Sequence, residues 1–212
     1  SSRSFLPIDR KGMSDLGWDA CDAVIVTGDA CVDHPSFGAA VIGRHLESLG
    51  YRVGILSQPD WTRPESFLAL GVPRLFIGIT SGAMDSMVNH YTSFNRIRSD
   101  DAYTPGGRAG SRPDRAVVAY ANALRHAMPG TPIVLGGIEA SLRRLSHYDF
   151  WSDRIRKSVL LDSRADILVY GMGERQIAEI AARLSDGRDL DGIAGTAVWV
   201  GASGATPPPG AV

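Results

Sequence analysis

Aspartate, histidine and serine crowd a short stretch, GDACVDHPSFG at 28–38, set between an apolar run (AVIVT, 23–27) and a run of helical composition. Asp29, Asp33 and His34 are residue types that hold protons, metal ions or ligand hydrogens, and Ser36 adds a hydroxyl. Two readings are open. Asp33 and Ser36 have the chemistry of helix caps, with His34 packed against the turn. Alternatively, His34 touches a ligand at the start of the helix, where anions are also favoured. Comparable clusters follow other apolar runs: SQPDW (57–61) with Asp60, TSGAMDS (80–86) with Ser81 and Asp85, and then Asn89 and His90. Further along, GGIEAS (136–141) contributes Gly136, Gly137 and Glu139, and GMGE (171–174) contributes Gly173 and Glu174.

Each cluster can be tested against a known chemistry. Cobalt ligation by a histidine after the first strand of a cobalamin-binding domain uses the order D-x-H-x-x-G. Here Asp33, His34 and Gly38 miss both spacings by one, which disfavours cobalamin. Gly171 and Gly173 form half of a dinucleotide fingerprint, but Gln176 stands where a third glycine is needed. GGIEASLRR lets a helix start approach an anion with Arg143 and Arg144 near it, or is a helix start followed by a solvated basic face. HYDFWSDRIRK (147–157) joins three aromatics to Arg154, Arg156 and Lys157, a mixture that suits a protein interface as well as a stacking site. No Ser-His-Asp or Cys-His set has interpretable spacing. The two cysteines, Cys21 and Cys31, cannot make a disulfide framework or a three-cysteine cluster site, and read as small buried hydrophobes flanking a strand.

The elements that must position these groups alternate. Apolar strands are expected at 23–27, 52–57, 74–80, 132–138 and 166–170, with a sixth candidate at 196–200. Between them lie a helix from Pro35 or Ser36 to Gly50, with Val41, Ile42, Leu46 and Leu49 on its apolar face, and a short helix at 64–70. A helix capped by Asp114, with Val117, Tyr120, Ala121, Leu124 and Met128 inward, a helical stretch at 153–161, and a helix carrying Ile177, Ile180, Ala181 and Leu184 complete the series. Strand–helix alternation of this kind predicts an α/β, Rossmann-like fold of the cobalamin-binding-domain type. Its sheet is open and mainly parallel, of five or six strands, with helices on both faces. Ligands bind outside the carboxyl ends of such strands, where the clusters above gather. Residues 81–113 break the rhythm yet hold Met84, Met87, Val88, Tyr91, Phe94, Ile97 and Tyr103, so one long ordered loop is expected.

Composition narrows the partners. The 212 residues carry a formal net charge of -1, which does not indicate nucleic acid, since nonspecific phosphate binding needs clustered Lys and Arg. No apolar run reaches the roughly 18 residues of a membrane span, and the first residues lack a secretory apolar core, so a cytoplasmic location is expected. The terminal GASGATPPPGAV is too rich in small residues and proline to bury a core and reads as a linker or a cut.

Taken together, VTGDACVDHPSFG, SQPDW, MDSMVNHYT, RIRSDDAYTPGGRAGSRPDRA, GGIEASLRR, HYDFWSDRIRKSVLLDSRAD and VYGMGE resemble the N-terminal domain of the YgiQ-like radical SAM proteins, over about residues 5–184. The resemblance implies an arm (1–20), a Rossmann-like domain (21–185), and a linker or the start of a following region (186–212). It also implies a C-terminal radical SAM barrel as the domain's own partner, where a CxxxCxxC motif holds a [4Fe-4S] cluster that cleaves S-adenosylmethionine to a deoxyadenosyl radical. No cluster ligand carries over onto this sequence, so the domain is not expected to be catalytic alone. What carries over is a rim, including His34, Asp85, Asn89, His90 and Glu139, facing an unknown substrate or the barrel. The alternative is a binding module for cobalamin, a nucleotide or another phosphate-bearing ligand.

Overall fold

A computed structural model describes residues 5–32 and 34–200; residues 1–4, Asp33 and the proline-rich 201–212 lie outside the described residues. β1 (Ala23–Thr27), β2 (Val53–Ser57), β3 (Phe76–Thr80), β4 (Ile133–Leu135) and β7 (Ile167–Val169) form one parallel sheet. β8 (Thr196–Val198) adds to its edge antiparallel to β7, giving the order β2-β1-β3-β4-β7-β8. The six strands fall where the apolar runs predict them; the five parallel ones are buried nearly throughout, as runs covered on both faces are, while β8 at the edge is half-buried.

Pleating sends alternate residues into two cores. Ile25, Ile55, Phe76, Val134 and Val169 meet Leu46 of α2 (Gly38–Ser48) and Ile177 and Ile180 of α7 (Glu174–Ser185). Val24, Leu56, Ile77, Leu135 and Leu168 face the other way, onto Val117, Tyr120 and Leu124 of α4 (Ala116–Ala127) and Leu160 of α6 (Val159–Ser163). At roughly 1.5–3 kcal/mol per fully buried aliphatic side chain, these two layers dominate the stabilisation. The amino-terminal segment adds α1 (Arg10–Asp15), and the Pro7 carbonyl accepts the Ile55 N–H on the β2 edge.

Several expectations are corrected. α2 begins at Gly38, not at Pro35 or Ser36. The Phe37 N–H bonds the His34 carbonyl and the Ser36 N–H bonds the His34 ring, which closes a turn ahead of the helix. Among the described residues neither Ser36 nor any other side chain caps α2, the expected cap Asp33 lying outside them, and Leu49, expected inward, is exposed. Asp114 does not cap α4; Arg115, in the left-handed region, precedes it, and Asp114 is taken by His90 and Tyr91. The stretch at 153–161 is not helical throughout. β5 (His147–Asp149) and β6 (Arg154–Arg156) make an antiparallel hairpin, because buried Asp149 reaches Arg115 at 2.6 Å and Asp153 takes a positive φ at the turn.

The excursion at 81–113 is ordered, as expected. It holds α3 (Ser86–His90), a hairpin bridged at Tyr91 and Ile97, a bridge from Asp100 to Arg108, and a 3-10 turn at Pro105–Gly107. After β4, α5 (Gly137–Leu142) leads toward the β5–β6 hairpin.

Candidate functional site

The strand order reverses between β1 and β3, and the crevice at such a switch point is where open α/β sheets bind ligands. A cavity of about 660 Å³ opens there. Ile25, Gly78 and Val134 floor it, the small residues Gly38, Ala39 and Ala40 at the start of α2 roof it, and Ile177 of α7 closes the side. Polar groups stand at the mouth: Thr27, Asp29, Ser36, Thr80 and Glu174. Among the described residues α2 and α7 both start at this mouth without a side-chain cap, so backbone N–H groups face it from two directions. An apolar chamber with few polar groups at its entrance suits an organic ligand with a flat apolar part and a polar end.

Asp29, only 3% exposed, is fixed on one side of the mouth. The Ala83 N–H donates to it at 2.6 Å and Arg112 Nη2 at 2.8 Å. Burial pushes its carboxyl above the usual range, against the pull of those two donors. Arg112, 1% exposed, also donates to the Ser81 carbonyl at 2.7 Å and lies 3.4 Å from Asp101. One guanidinium thereby ties the end of β1 to both ends of the 81–113 excursion. Gly82 has φ +108, and a Cβ there would lie 2.1 Å from the Asp29 carboxylate, so only glycine permits this approach.

The expected rim divides in two. Asp29, Ser36, Gly136, Gly137, Gly173 and Glu174 line the cavity. His34 is exposed beside it and is not among its lining residues; its Nδ1 accepts the Ser36 N–H at 3.1 Å. The others belong to a polar cluster joining α3, α4 and α5. Glu139, 0% exposed, accepts the Ser86 N–H at 2.8 Å and the Val117 N–H at 3.1 Å. Burial, and after it the nearby Asp85 carboxylate, raises its pKa. Asp85 caps α3 through the Met87 and Val88 N–H groups and accepts Arg143 Nε and Nη2, each at 2.8 Å or less. Arg143 is therefore occupied and not available to an anion, while Arg144 lies over the Tyr170 ring. Ser81 donates to the Met84 carbonyl, Asn89 is buried, and His90 Nδ1 donates to Asp114 at 2.7 Å. Asp60 accepts from Thr62 in a local turn.

Sequence reasoning did not single out Arg112, one of several arginines in a loop, or the Gly38-Ala39-Ala40 roof. The roof had a readable signal, since three small residues opening a helix after the first strand leave room above it.

The cysteines do not fit a cluster. Cys21 is fully buried, and burial pushes its thiol up to about 11; Cys31 is exposed, ten positions on. Among the described residues no group of three or more His, Cys, Asp or Glu side chains is arranged to hold a metal ion. No helix among them is long and apolar enough to cross a membrane.

A sheet of order 2-1-3-4-5 plus an antiparallel edge strand, with an open crevice at its switch point, defines a doubly wound α/β domain of the flavodoxin-like class. The family model described as "Radical SAM N-terminal" matches residues 5–207, and the chain belongs to that family. Its relatives include a UPF0313 protein of Shewanella oneidensis, 59% identical over 197 residues, and UPF0313 protein RPA0679 of Rhodopseudomonas palustris, 60% identical over 198. Each match covers 92% of this chain but 25% and 29% of the relative, so the chain spans about a quarter of the length of these curated proteins. Among solved structures, the radical S-adenosylmethionine methyltransferase TsrM from Kitasatospora setae, with tryptophan substrate and a SAM analog bound, shares the fold. It does so at a TM-score of 0.54 and 22% identity, over 82% of this chain and 28% of that one. A second TsrM structure, with cobalamin and a [4Fe-4S] cluster bound, gives a TM-score of 0.53 at 21% identity, over 83% and 27%.

Proposed function

We propose that this domain is the N-terminal part of a radical SAM enzyme and that its cavity holds part of that enzyme's substrate, with the substrate's other end offered to the barrel that follows. The cavity carries the reading: it is deep and apolar inside, polar only at the mouth, and it opens at the strand ends. The cluster and S-adenosylmethionine would be held by the barrel, since the residues here do not fit them; the substrate is unidentified. Gly136 supplies the test. It lines the cavity in extended backbone, and a Cβ there meets nothing within 4 Å, so a larger residue fills space without strain. The full-length protein, reconstituted with iron and sulfide, is expected to show broad iron–sulfur absorbance and to release 5′-deoxyadenosine. Gly136→Phe is expected to keep both but to lose the stimulation of that release by the small-molecule fraction of a cell extract. Retained stimulation would sink the cavity's role; absent absorbance would sink the enzyme class.

A second reading is that the cavity takes the nucleotide end of a cobalamin or another nucleotide. It is supported by the apolar floor beneath α2 and by the fold shared with TsrM, one of whose structures has cobalamin bound. His34 does not fit as a cobalt ligand. It is exposed, is not among the residues lining the cavity, and its Nδ1 is engaged by the Ser36 N–H at 3.1 Å. Hydroxocobalamin titrated into the chain and followed by calorimetry is accordingly expected to bind His34→Ala as it binds the wild type, and Gly136→Phe at least about tenfold more weakly. No heat with the wild type would end this reading, and loss of uptake in His34→Ala alone would reinstate the histidine.

A further inference from the structure

The hairpin at 91–98 has no role in the cavity or in the polar cluster, yet it is firmly built. Its tip is closed by the Thr92 N–H to the Arg96 carbonyl at 2.8 Å, and by the Asn95 N–H to the Thr92 carbonyl at 3.0 Å. Asn95 takes the left-handed φ of 57° that the turn requires. At its base the Arg98 N–H bonds the His90 carbonyl, Tyr91 bridges Ile97, and His90 and Tyr91 both donate to Asp114. This ordered finger presents Phe94 at 86% exposure and Ile97 at 76%. Arg96 and Arg98, and Arg108 on the neighbouring bridge, are exposed and make no side-chain hydrogen bond or ion pair among the described residues. Aromatic and arginine side chains held out together on a preorganised turn have the composition of an interface core, where truncation costs most.

We propose that this finger inserts into the C-terminal region of the same polypeptide, into an apolar pocket for Phe94 edged by carboxylates for Arg96 and Arg98. The inference rests on the reading that a barrel follows this domain in one chain. About three quarters of each relative lies outside the matched region, which supplies the partner in every copy. The finger also follows, through α3, from the carboxyl end of β3, the strand whose Ile79 and Thr80 line the crevice such a region would cover. A nucleic-acid partner is less favoured, because three arginines beside Asp100 on a chain of net charge -1 make too weak a field to track a phosphate backbone.

The test places a photoreactive benzoylphenylalanine at Phe94 of the full-length protein. Because the side chain is exposed, the replacement leaves the domain's packing intact. Irradiation is expected to give intramolecular cross-links that mass spectrometry maps to residues beyond this domain, with none from the same probe at Lys11 on α1. Adding Arg96→Glu and Arg98→Glu is expected to reduce the yield about tenfold, since like charges across an interface are strongly disfavoured. Cross-links only within the domain, only between molecules, only to RNA, or none at all would each overturn the proposal. Iron–sulfur absorbance and 5′-deoxyadenosine release, read on the same sample, report separately on the barrel. A cross-link without them leaves the docking standing and removes the radical SAM reading.

Discussion

Arg112→Ala is expected to lower the free energy of unfolding by about 3–5 kcal/mol, the cost of breaking a buried ion pair by removing one partner. The arginine is 1% exposed, and its departure strands Asp29 and Asp101, both buried, and the Ser81 carbonyl. Arg112→Lys is expected to recover little, because an ammonium is a point charge and cannot serve three acceptors in one plane. Adding Asp29→Asn to Arg112→Ala is expected to restore part of the loss by removing one stranded charge. Urea unfolding with the midpoint shifted at constant slope is the measurement. A shift equivalent to less than about 0.5 kcal/mol, the range of an ordinary surface substitution, would show that the guanidinium is not the clamp of the 81–113 excursion.

Glu139→Ala removes the acceptor for first-turn N–H groups of two helices, Ser86 at α3 and Val117 at α4. Two hydrogen bonds to a charged group at about 1.5–3 kcal/mol each, less the relief of no longer burying a carboxylate, give an expected loss of about 2–4 kcal/mol. Glu139→Gln tests the same group by pH. A carboxyl whose pKa is raised on folding binds its proton more tightly in the native state. Its contribution is complete below the ordinary value of 4.5 and is lost as pH rises through the raised value. Glutamine cannot ionise, so the stability of the variant is expected to fall less than that of the wild type from pH 4.5 upward. Asp29 shifts in the same direction but is present in both proteins, so the difference between the two curves isolates Glu139. Parallel curves would mean that Glu139 has the same proton affinity folded and unfolded.

The sheet was legible because its evidence is local. AVIVT at 23–27 or the apolar run at 167–169 can only be buried on both faces, and β1 and β7 lie within a residue or two of where their composition puts them. Helix starts were less legible because they depend on partners distant in sequence. Asp114 has the chemistry of a cap, but His90 and Tyr91 reach it first across 23 or 24 residues. The hairpin at 147–156 escaped for the same reason: Asp149 is held by Arg115 on another element, so its own segment gives no sign that the aspartate is buried. Half of the expected rim does line the cavity, since glycines and hydroxyls at strand ends point to a crevice from sequence alone. The other half does not: His34 is exposed beside it, Ser81 is turned onto the Met84 carbonyl, and Asp85, Asn89, His90 and Glu139 had the right residue types but lie in or near the polar cluster around α3. Polar groups at the starts of buried helices must be satisfied within the protein, and that need looks the same in sequence as a need for ligand.

β8 sets a constraint on everything attached to it. Because it runs against β7, it descends from Thr196 at the strand ends to Val198, which pairs with Ile167 and through Val134 and Gly78 stands level with Ile25 in the middle of β1. Whatever leaves Val198 is therefore heading away from the cavity mouth. To return over it, the chain must climb back about two residues' rise, roughly 7 Å, and cross three strand spacings, roughly 14 Å, to reach β3. Under the reading proposed above, in which a covering region follows in the same chain, the length of chain needed for that return sets the region's local concentration over the crevice.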